Sequence, residues 1–123
     1  MQFKYRMNAT KYLVDFSQID EITSGDLDFK KELIGIFISQ IPEFIQNMNE
    51  AFATNNLEFL ARESHSAKSS VLIFGMDSTG TLLKQIEIQA KDKIPNGIAS
   101  MIKEAEHNLT LAYNQLTTIL ENL

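Results

Sequence analysis

The segment ESHSAKSSVLIFGM, residues 63 to 76, contains the residue types of this sequence that are best suited to chemistry. It places His65 three residues before Lys68, within a helical pattern of otherwise small and apolar residues. An imidazole can serve as a nucleophile or general base near neutral pH, and a lysine one helical turn away can hold an anion beside it. Whether His65 is buried or faces a partner decides which of these roles is open to it.

The position of His65 on its helix follows from the helical repeat of about 100° per residue. The core-facing positions of this helix all lie within about 60° of Leu60, whereas His65 lies about 140° away from it. The neighbours of His65 on that side of the helix are Ala61, Lys68, Ser69 and Leu72. The sequence therefore predicts that the imidazole is exposed on the flank of a helix and is not a buried structural histidine.

The next helix supplies a carboxylate at the level of His65. If the chain reverses near Met76, residues of two antiparallel helices lie level when their numbers sum to about 152. His65 is then level with Glu87, and Lys68 is level with Lys84. A carboxylate that accepts a hydrogen bond from one imidazole nitrogen fixes the tautomer and leaves the other nitrogen free as a nucleophile.

An isolated histidine on a helix surface usually has no function. His107, in the segment AEHNL, fits that description, because no comparable group of residues surrounds it. His65 differs from it because small residues, a lysine and a level carboxylate coincide around one ring. The sequence therefore singles out His65 as the candidate reactive residue.

Helices must position these residues, since helical periodicity fills most of the chain and Gly and Pro are scarce. The expected elements are a short helix over 15–23, a long helix capped by Asp26 that bends at Pro42 without breaking, a helix over 57–74, a helix capped by Ser78, and a last helix from about 96. The long helix carries a core-facing stripe of Leu33, Phe37, Ile41, Phe44, Met48 and Phe52. The pattern predicts an all-α fold, an antiparallel up-and-down four-helix bundle with a short extra N-terminal helix. We expect the bundle domain over 15–123, after an N-terminal extension, 1–14, that the pattern does not assign.

Composition narrows the class of protein. The chain has 123 residues, of which 44% are hydrophobic and 22% charged, as in a single globular domain. It has no cysteine, which excludes disulfides and thiolate metal sites, and a net charge of -5, which argues against nucleic-acid binding. Neither a membrane-spanning run nor a signal peptide is recognisable, so we expect a cytoplasmic protein without membrane association. No phosphate-binding loop for ATP and no metal-ligand cluster is present.

In the segment around His65 the sequence resembles the histidine-containing phosphotransfer (HPt) domain family. The family pattern of His, Lys three places on, a small residue and Gly ten places after the His is matched by His65, Lys68, Ser70 and Gly75. Glu87 stands where the family often carries Glu or Gln. The likeness covers about residues 15 to 91, and the last helix matches only in being amphipathic.

Three positions depart from the family pattern. Ser69 replaces the usual Gly after the lysine, Ala67 replaces a Leu, and Val71 replaces a small residue. The family's glycine allows a partner loop to come close to the imidazole, so Ser69 either slows transfer or adds a hydrogen bond to the phosphoryl group. Ala67 and Val71 are expected to point into the core.

The resemblance implies a phosphorelay phosphocarrier of two-component signalling. His65 would accept a phosphoryl group from a receiver-domain aspartyl phosphate and pass it to another receiver aspartate. It implies support from Lys68, Ser69 and Glu87, and the level of Lys84 beside Lys68 adds a second candidate cation. Docking is expected through an apolar patch of Ala61, Leu72 and Met76, with parts of the long helix that Asp26 caps. The implied partners are receiver domains and a hybrid sensor histidine kinase. Mg²⁺ is expected in the receiver, while this chain, expected to be a monomer, would bind no cofactor and have no autokinase activity.

Other functions remain open at this point. One is a helical adaptor that docks receiver or kinase domains without phosphotransfer, which Ser69 would allow. A second is an enzyme with His65 as general base, although no second acid or metal pattern supports it. A third is a dimerising structural bundle that uses Ile36 and Ile38. The kinase, the receivers and the direction of flow stay open, and the initial Met favours a free-standing protein over a domain of a hybrid kinase.

Overall fold

The structure, a computed structural model, describes residues 13–123, and within them it contains five helices and no strand. The helices are α1 (Ser17–Thr23), α2 (Leu27–Ala53), α3 (Leu57–Ile73), α4 (Asp77–Lys91) and α5 (Ile98–Glu121). Helices α2 to α5 form the bundle, in which each packs on the next and α2 also packs on α5, while α1 packs on α2. The all-α fold, a four-helix bundle with a short extra N-terminal helix, is confirmed. Most of the expected extension, 1–14, lies outside the described residues.

The helix ends follow local side-chain chemistry. Asp26 accepts a hydrogen bond from the backbone N–H of Phe29 at 3.1 Å, which confirms it as the N-cap of α2. Helix α2 then continues through Pro42 without a break, as expected. The expected cap at Ser78 is wrong, because the N-cap of α4 is Met76, two residues earlier, with no side-chain hydrogen bond, and Ser78 lies in the first turn of the helix.

The core consists of apolar side chains from all five helices. Phe74, at the end of α3, stacks on Phe37 of α2 with ring centroids 4.5 Å apart, and Phe16 meets it edge-on at 6.4 Å. Ala67 and Val71, two of the positions that depart from the family pattern, are fully buried, as expected from their core-facing positions on the helix. The largest fully buried side chains are Ile19, Ile34, Phe37, Ile41, Met48, Leu60, Val71, Leu83, Ile86, Ile98, Leu109 and Leu116. Within 13–123, no helix has both the length and the apolarity needed to cross a bilayer.

The α3–α4 hairpin is the part of the bundle that determines the site. A Cβ added to Gly80 of α4 would lie 2.5 Å from Cδ2 of Leu72 on α3, so the two helices approach closely at this level. A glycine inside a helix costs about 1 kcal/mol relative to alanine, and here the close approach accounts for it. The hairpin therefore holds α4 near the outward flank of α3.

The turn between α3 and α4 is fixed by Gly75. Its φ is +74°, and a Cβ on it would lie 2.6 Å from Cβ and 2.7 Å from the carbonyl oxygen of Asp15. The backbone N–H of Asp15 donates to the carbonyl oxygen of Phe74 at 2.9 Å, so the chain before α1 packs directly on this turn. Only glycine suits both the left-handed conformation and the close backbone contact.

We predict that Gly75→Ala lowers the free energy of unfolding by about 1 to 3 kcal/mol, because the new methyl group meets Asp15 backbone and the left-handed φ becomes strained. Urea unfolding followed by circular dichroism measures the change. The matched control is Gly35→Ala inside α2, where a Cβ meets nothing within 4 Å. That control should stabilise the protein by about 0.5 to 1 kcal/mol. Equal midpoints for Gly75→Ala and wild type would contradict the close contact.

Candidate functional site

His65 lies on the outward flank of α3, and 58% of its side chain is exposed. Its helix is anchored beneath it by Leu60, Ser64 and Ala67, all of which are fully buried. The outward position expected from the helical repeat is therefore confirmed. The ring is open to a partner, while the backbone that carries it is fixed by the core.

Glu87 of α4 holds one nitrogen of the imidazole. Nδ1 of His65 lies 3.1 Å from Oε2 and 3.3 Å from Oε1 of Glu87, which confirms the level expected for these residues in the hairpin. An ionised carboxylate can only accept hydrogen bonds, so Nδ1 carries the hydrogen and donates it. In the neutral ring Nε2 then keeps its lone pair. The arrangement provides an oriented nitrogen nucleophile on the protein surface.

The Glu87 carboxylate is itself buried, with only 5% of the residue exposed. Burial taken alone raises the pKa of Glu87, but hydrogen bonds from Lys91 and His65 and their positive charges outweigh it. The net result is a pKa below the ordinary value of 4.5, so Glu87 is ionised at neutral pH. The stabilisation linked to this carboxylate is present above the pKa of the unfolded chain. It is lost as the pH falls through the folded value.

Two lysines contact this carboxylate. Nζ of Lys91 lies 3.1 Å from Oε2, and Nζ of Lys68 lies 3.7 Å from Oε1. Lys68 is largely covered, with 17% of its side chain exposed, whereas 64% of the Lys91 side chain is exposed. Glu87 therefore links the imidazole of α3 to lysines of both helices.

The second candidate cation, Lys84, lies outside the ion pairs of Glu87. It is exposed, and within the described part of the chain it forms no ion pair with this carboxylate. Lys91 forms one, because it follows Glu87 by four residues on α4, the spacing and order that favour a Glu–Lys pair on a helix. The sequence allowed Glu87 to pair with either Lys84 or Lys91, and the structure shows the pair with Lys91.

Ser69 lies one turn after His65 and is exposed. Its hydroxyl donates to the carbonyl oxygen of His65 at 3.2 Å. The hydroxyl hydrogen is thus used by the backbone, while the Cβ and Oγ stand on the surface beside the imidazole. In this rotamer Ser69 adds bulk next to the ring and no free donor.

The expected apolar patch is only partly present. Leu72 is 39% exposed, as expected, but Ala61 and Met76 are 4% and 2% exposed and belong to the core. The expectation that these two provide exposed docking surface is therefore wrong. Ala61 is covered where α4 packs on α3, and the side chain of Met76 turns inward at the start of α4.

Two grooves lie on either side of the exposed face of α3 that carries His65 and Ser69. The first, which we call the side groove, is an open groove of about 790 Å³ beside His65 whose charged lining residues are Glu58, Arg62, Glu87, Lys91 and Lys93. The second, the apolar groove, has a volume of about 270 Å³ and lies between α1, α2 and α3. It is lined by Ile19, Ile22, Phe29, Leu33, Ile36, Phe37, Gln40, Ser70, Ile73 and Phe74. This apolar surface includes parts of the long helix α2, as expected, but it lies on the side of α3 opposite Ala61 and Leu72.

The other sequence-derived candidates lie apart from this site. His107 is exposed on α5, and α5 contributes no residue to either groove. In the described range 13–123, no group of three or more His, Cys, Asp or Glu residues could hold a metal ion. The site therefore consists of His65, Glu87, Lys68 and Lys91, with Ser69 beside them.

Comparisons with known proteins identify the family and the fold. The Hpt domain family model matches residues 32–123, which include His65, Lys68 and Glu87. The phosphorelay intermediate protein YPD1 of Candida albicans is 30% identical over 78 residues, which cover 61% of this chain and 42% of that protein. The matched region thus spans about two fifths of the length of this relative.

A solved structure has the same fold. The crystal structure of histidine-containing phosphotransfer protein B (HptB) from Pseudomonas aeruginosa PAO1 superposes with a TM-score of 0.82. The superposition covers 89% of this chain and 96% of HptB at 14% sequence identity. It establishes a common architecture of the bundle. Because the family match takes in α3, α4, α5 and most of α2, this chain belongs to the Hpt domain family.

Proposed function

We propose that this protein is a phosphorelay phosphocarrier of two-component signal transduction. His65 accepts a phosphoryl group from a receiver-domain aspartyl phosphate and passes it to an aspartate of another receiver. The observation that carries the proposal is the exposed imidazole whose Nδ1 is held 3.1 Å from the buried Glu87 carboxylate. The description of the Candida relative as a phosphorelay intermediate supports it.

The contacts of His65 suit a reversible transfer. The Nε2 lone pair forms the N–P bond while the bond between phosphorus and the aspartyl oxygen breaks, and the electron pair leaves on the receiver carboxylate. No proton has to leave, because the ring hydrogen is on Nδ1. The ring gains positive charge as the bond forms, and the Glu87 carboxylate beside Nδ1 balances it. The return step runs through the same atoms in reverse.

The chemistry is shared with the partner. This chain supplies the nucleophile and its orientation, and the receiver supplies an acidic pocket and Mg²⁺. The sequence has no phosphate-binding loop for ATP, so phosphorylation of His65 depends on a donor protein, and no autokinase activity is expected. The proposed partners are receiver domains and a hybrid sensor histidine kinase, met in the cytoplasm by a monomeric carrier.

Lys68 is the proposed cation for the transferring phosphoryl group. It follows His65 by one turn of α3, and its Nζ is 3.7 Å from Glu87, beyond hydrogen-bonding distance. A weak ion pair of this kind is easily exchanged for a contact with a phosphoryl dianion on Nε2. Lys68 therefore pairs with Glu87 while His65 is unphosphorylated, and it can pair with the phosphoryl group once His65 carries one.

The apolar groove is the proposed docking surface for the receiver. His65, Ser69 and Ile73 follow each other at four-residue spacing, so the groove at Ile73 lies about 12 Å along α3 from the imidazole. A receiver seated on His65 with a standard interface, about 800 Å² on each partner, reaches that far. Ile36, 48% exposed on the rim of the groove, offers apolar contact area there, and Leu72, 39% exposed, offers it on the α4 side of α3.

Ser69 supports one alternative function, a helical adaptor that docks receivers without phosphotransfer. Its hydroxymethyl group stands on the surface one turn from the imidazole, at the position where the family usually has glycine. A receiver loop that needs this space would be kept away from Nε2. Binding of receivers without any transfer of label would favour the adaptor over the carrier.

We predict that His65→Gln abolishes acceptance of ³²P from phosphorylated receiver domains in the presence of Mg²⁺, because it removes the nucleophile. Wild type should carry an acid-labile, base-stable label, measured by gel autoradiography. His107→Gln is the matched control, since it removes the other histidine, exposed on α5, and should keep full labelling. Label retained by His65→Gln, with unchanged helicity and melting, would exclude this site.

Replacement of Lys68 should slow transfer without unfolding the protein. For Lys68→Ala we expect a loss on the order of tenfold in the single-turnover transfer rate, because one cation near the phosphoryl group is lost while the receiver's Mg²⁺ remains. Lys103→Ala, which removes an exposed lysine from α5, is the charge-matched control. Equal rates for the two variants in a rapid-quench assay would contradict the role given to Lys68.

The docking surface can be tested apart from the chemistry. Ile36→Asp should weaken receiver binding about tenfold, as expected when a charge enters an apolar contact. Isothermal titration calorimetry with a receiver domain measures the affinity. Leu111→Asp makes the same kind of change at a 37% exposed leucine of α5, outside both grooves, and should bind like wild type. Weakening by Leu111→Asp alone would place the interface elsewhere.

A further inference from the structure

Glu87 is bound by two lysines in different ways. Lys91, on the same helix, approaches Oε2 at 3.1 Å, the oxygen that also lies 3.1 Å from Nδ1 of His65. Lys68, on α3, approaches the other oxygen at 3.7 Å. Lys91, the closer lysine, is therefore bound to Oε2, the carboxylate oxygen nearer to Nδ1. Lys68, the more distant lysine, lies beside Oε1.

The two lysines also differ in what they can reach. Lys68 is one turn from His65 on the same helix, so a phosphoryl group on Nε2 would compete with Glu87 for it. Lys91 is bound to Glu87 across one turn of α4, a spacing that brings these side chains together independently of α3. If Lys68 turns to the phosphoryl group, Lys91 is the remaining lysine on a carboxylate that is 5% exposed. A buried carboxylate without a cation is costly and tends to take up a proton.

We propose that Lys91 is a positioning residue for phosphotransfer: it holds the Glu87 carboxylate against Nδ1–H of His65 and so frees Lys68 for the phosphoryl group. This inference rests on the proposed function of His65. Lys91 acts through Glu87 and does not touch the reacting Nε2. Its own exposure, 64% of the side chain, means that it contributes little to stability, so the effect belongs to the site and not to the fold.

The consequence of losing Lys91 follows from proton placement. Without it the Glu87 carboxylate loses the contact that holds Oε2 in place, and burial raises its pKa. A carboxylate that turns away from Nδ1 no longer accepts its hydrogen, so the ring hydrogen can sit on Nε2, where it occupies the lone pair needed for attack. The groups that face Glu87 are His65 and Lys68 from α3 and Lys91 from α4, and Glu58, Arg62 and Lys93 line the same side groove. The acid limit of nucleophilic activity should therefore move to higher pH.

The test compares Lys91→Met with Lys84→Met. Both remove an exposed lysine from α4 and keep an unbranched apolar stem, but Lys84 has no ion pair to Glu87. Carbon-13 NMR of the Glu87 side-chain carboxyl is recorded against pH, and nitrogen-15 NMR reads the tautomer of the His65 ring at neutral pH. For Lys91→Met we expect the Glu87 titration to rise by about 0.5 to 1 pH unit and the share of the Nδ1–H tautomer to fall, because the carboxylate that accepts this hydrogen is held less firmly. Lys84→Met should titrate like wild type, and Lys91→Arg should restore the wild-type curve.

Transfer rates test the division between the lysines. In single-turnover transfer from a phosphorylated receiver, Lys91→Met should lose about 3- to 10-fold relative to Lys84→Met, because the carboxylate that orients Nδ1–H is held less firmly, and the loss should grow as the pH falls towards the range in which Glu87 titrates. The loss should be larger in a Lys68→Ala background, where no lysine is left on Glu87.

The outcomes separate this inference from the proposed function. A Glu87 titration and a share of the His65 Nδ1–H tautomer that are the same in Lys91→Met and Lys84→Met would overturn the positioning role, whatever the transfer rates are. A shifted titration together with a wild-type protein that takes no label from any receiver would overturn the proposed function, and with it the role in transfer. A shifted titration with the expected slower, pH-dependent transfer supports both.

Discussion

The hydrogen bond between Nδ1 of His65 and the buried Glu87 carboxylate is the interaction on which the site depends. It joins two helices, and it has to be made at the surface edge of their interface, where the ring stays open and the carboxylate is covered. The close approach of Leu72 to Gly80 and the tight turn at Gly75 bring α4 to the required distance and level. Structural glycines far from the imidazole therefore serve its orientation. A fold that packed α3 and α4 one methyl group further apart would keep both residues and lose the contact.

The electrostatics of the site follow from the burial of that one carboxylate. A carboxylate removed from water must be compensated, and here an imidazole and two lysines do so. Of these groups Lys68, whose Nζ is 3.7 Å from the carboxylate, is the one that the proposed function makes available to a phosphoryl group on the neighbouring nitrogen. The chain has a net charge of -5, yet its reactive flank is locally cationic. Local charge, and not the overall balance, suits the site to an anionic group.

Helical geometry made much of this predictable from the sequence. The fold class, the N-cap at Asp26, the outward position of His65 and its partner Glu87 all follow from a repeat of about 100° per residue and a reversal near Met76. Ala61 and Met76 were wrongly expected to be exposed. The angular position of a residue on its own helix does not show whether a neighbouring helix covers its side chain. Lys84 and Lys91 flank Glu87 on the same helix, and level alone could not choose between them. The apolar groove could not be predicted, because it forms where α1 packs against α2 and α3, and the periodicity of one helix does not show how several helices pack together.

A phosphocarrier has to keep its phosphoryl group between encounters as well as accept it. The imidazole is open to solvent, so water reaches any group bound to Nε2, and stability against hydrolysis requires that no base activates that water. Within the described residues, Glu87 is the one acid in contact with the ring, and it lies on Nδ1, directed away from Nε2. Its two carboxylate oxygens also contact Lys68 and Lys91, which further reduces their ability to accept a proton from water. In the proposed function, this arrangement leaves an accepted phosphoryl group without a neighbouring base, so that its transfer would depend on a receiver that supplies the metal and the acceptor carboxylate.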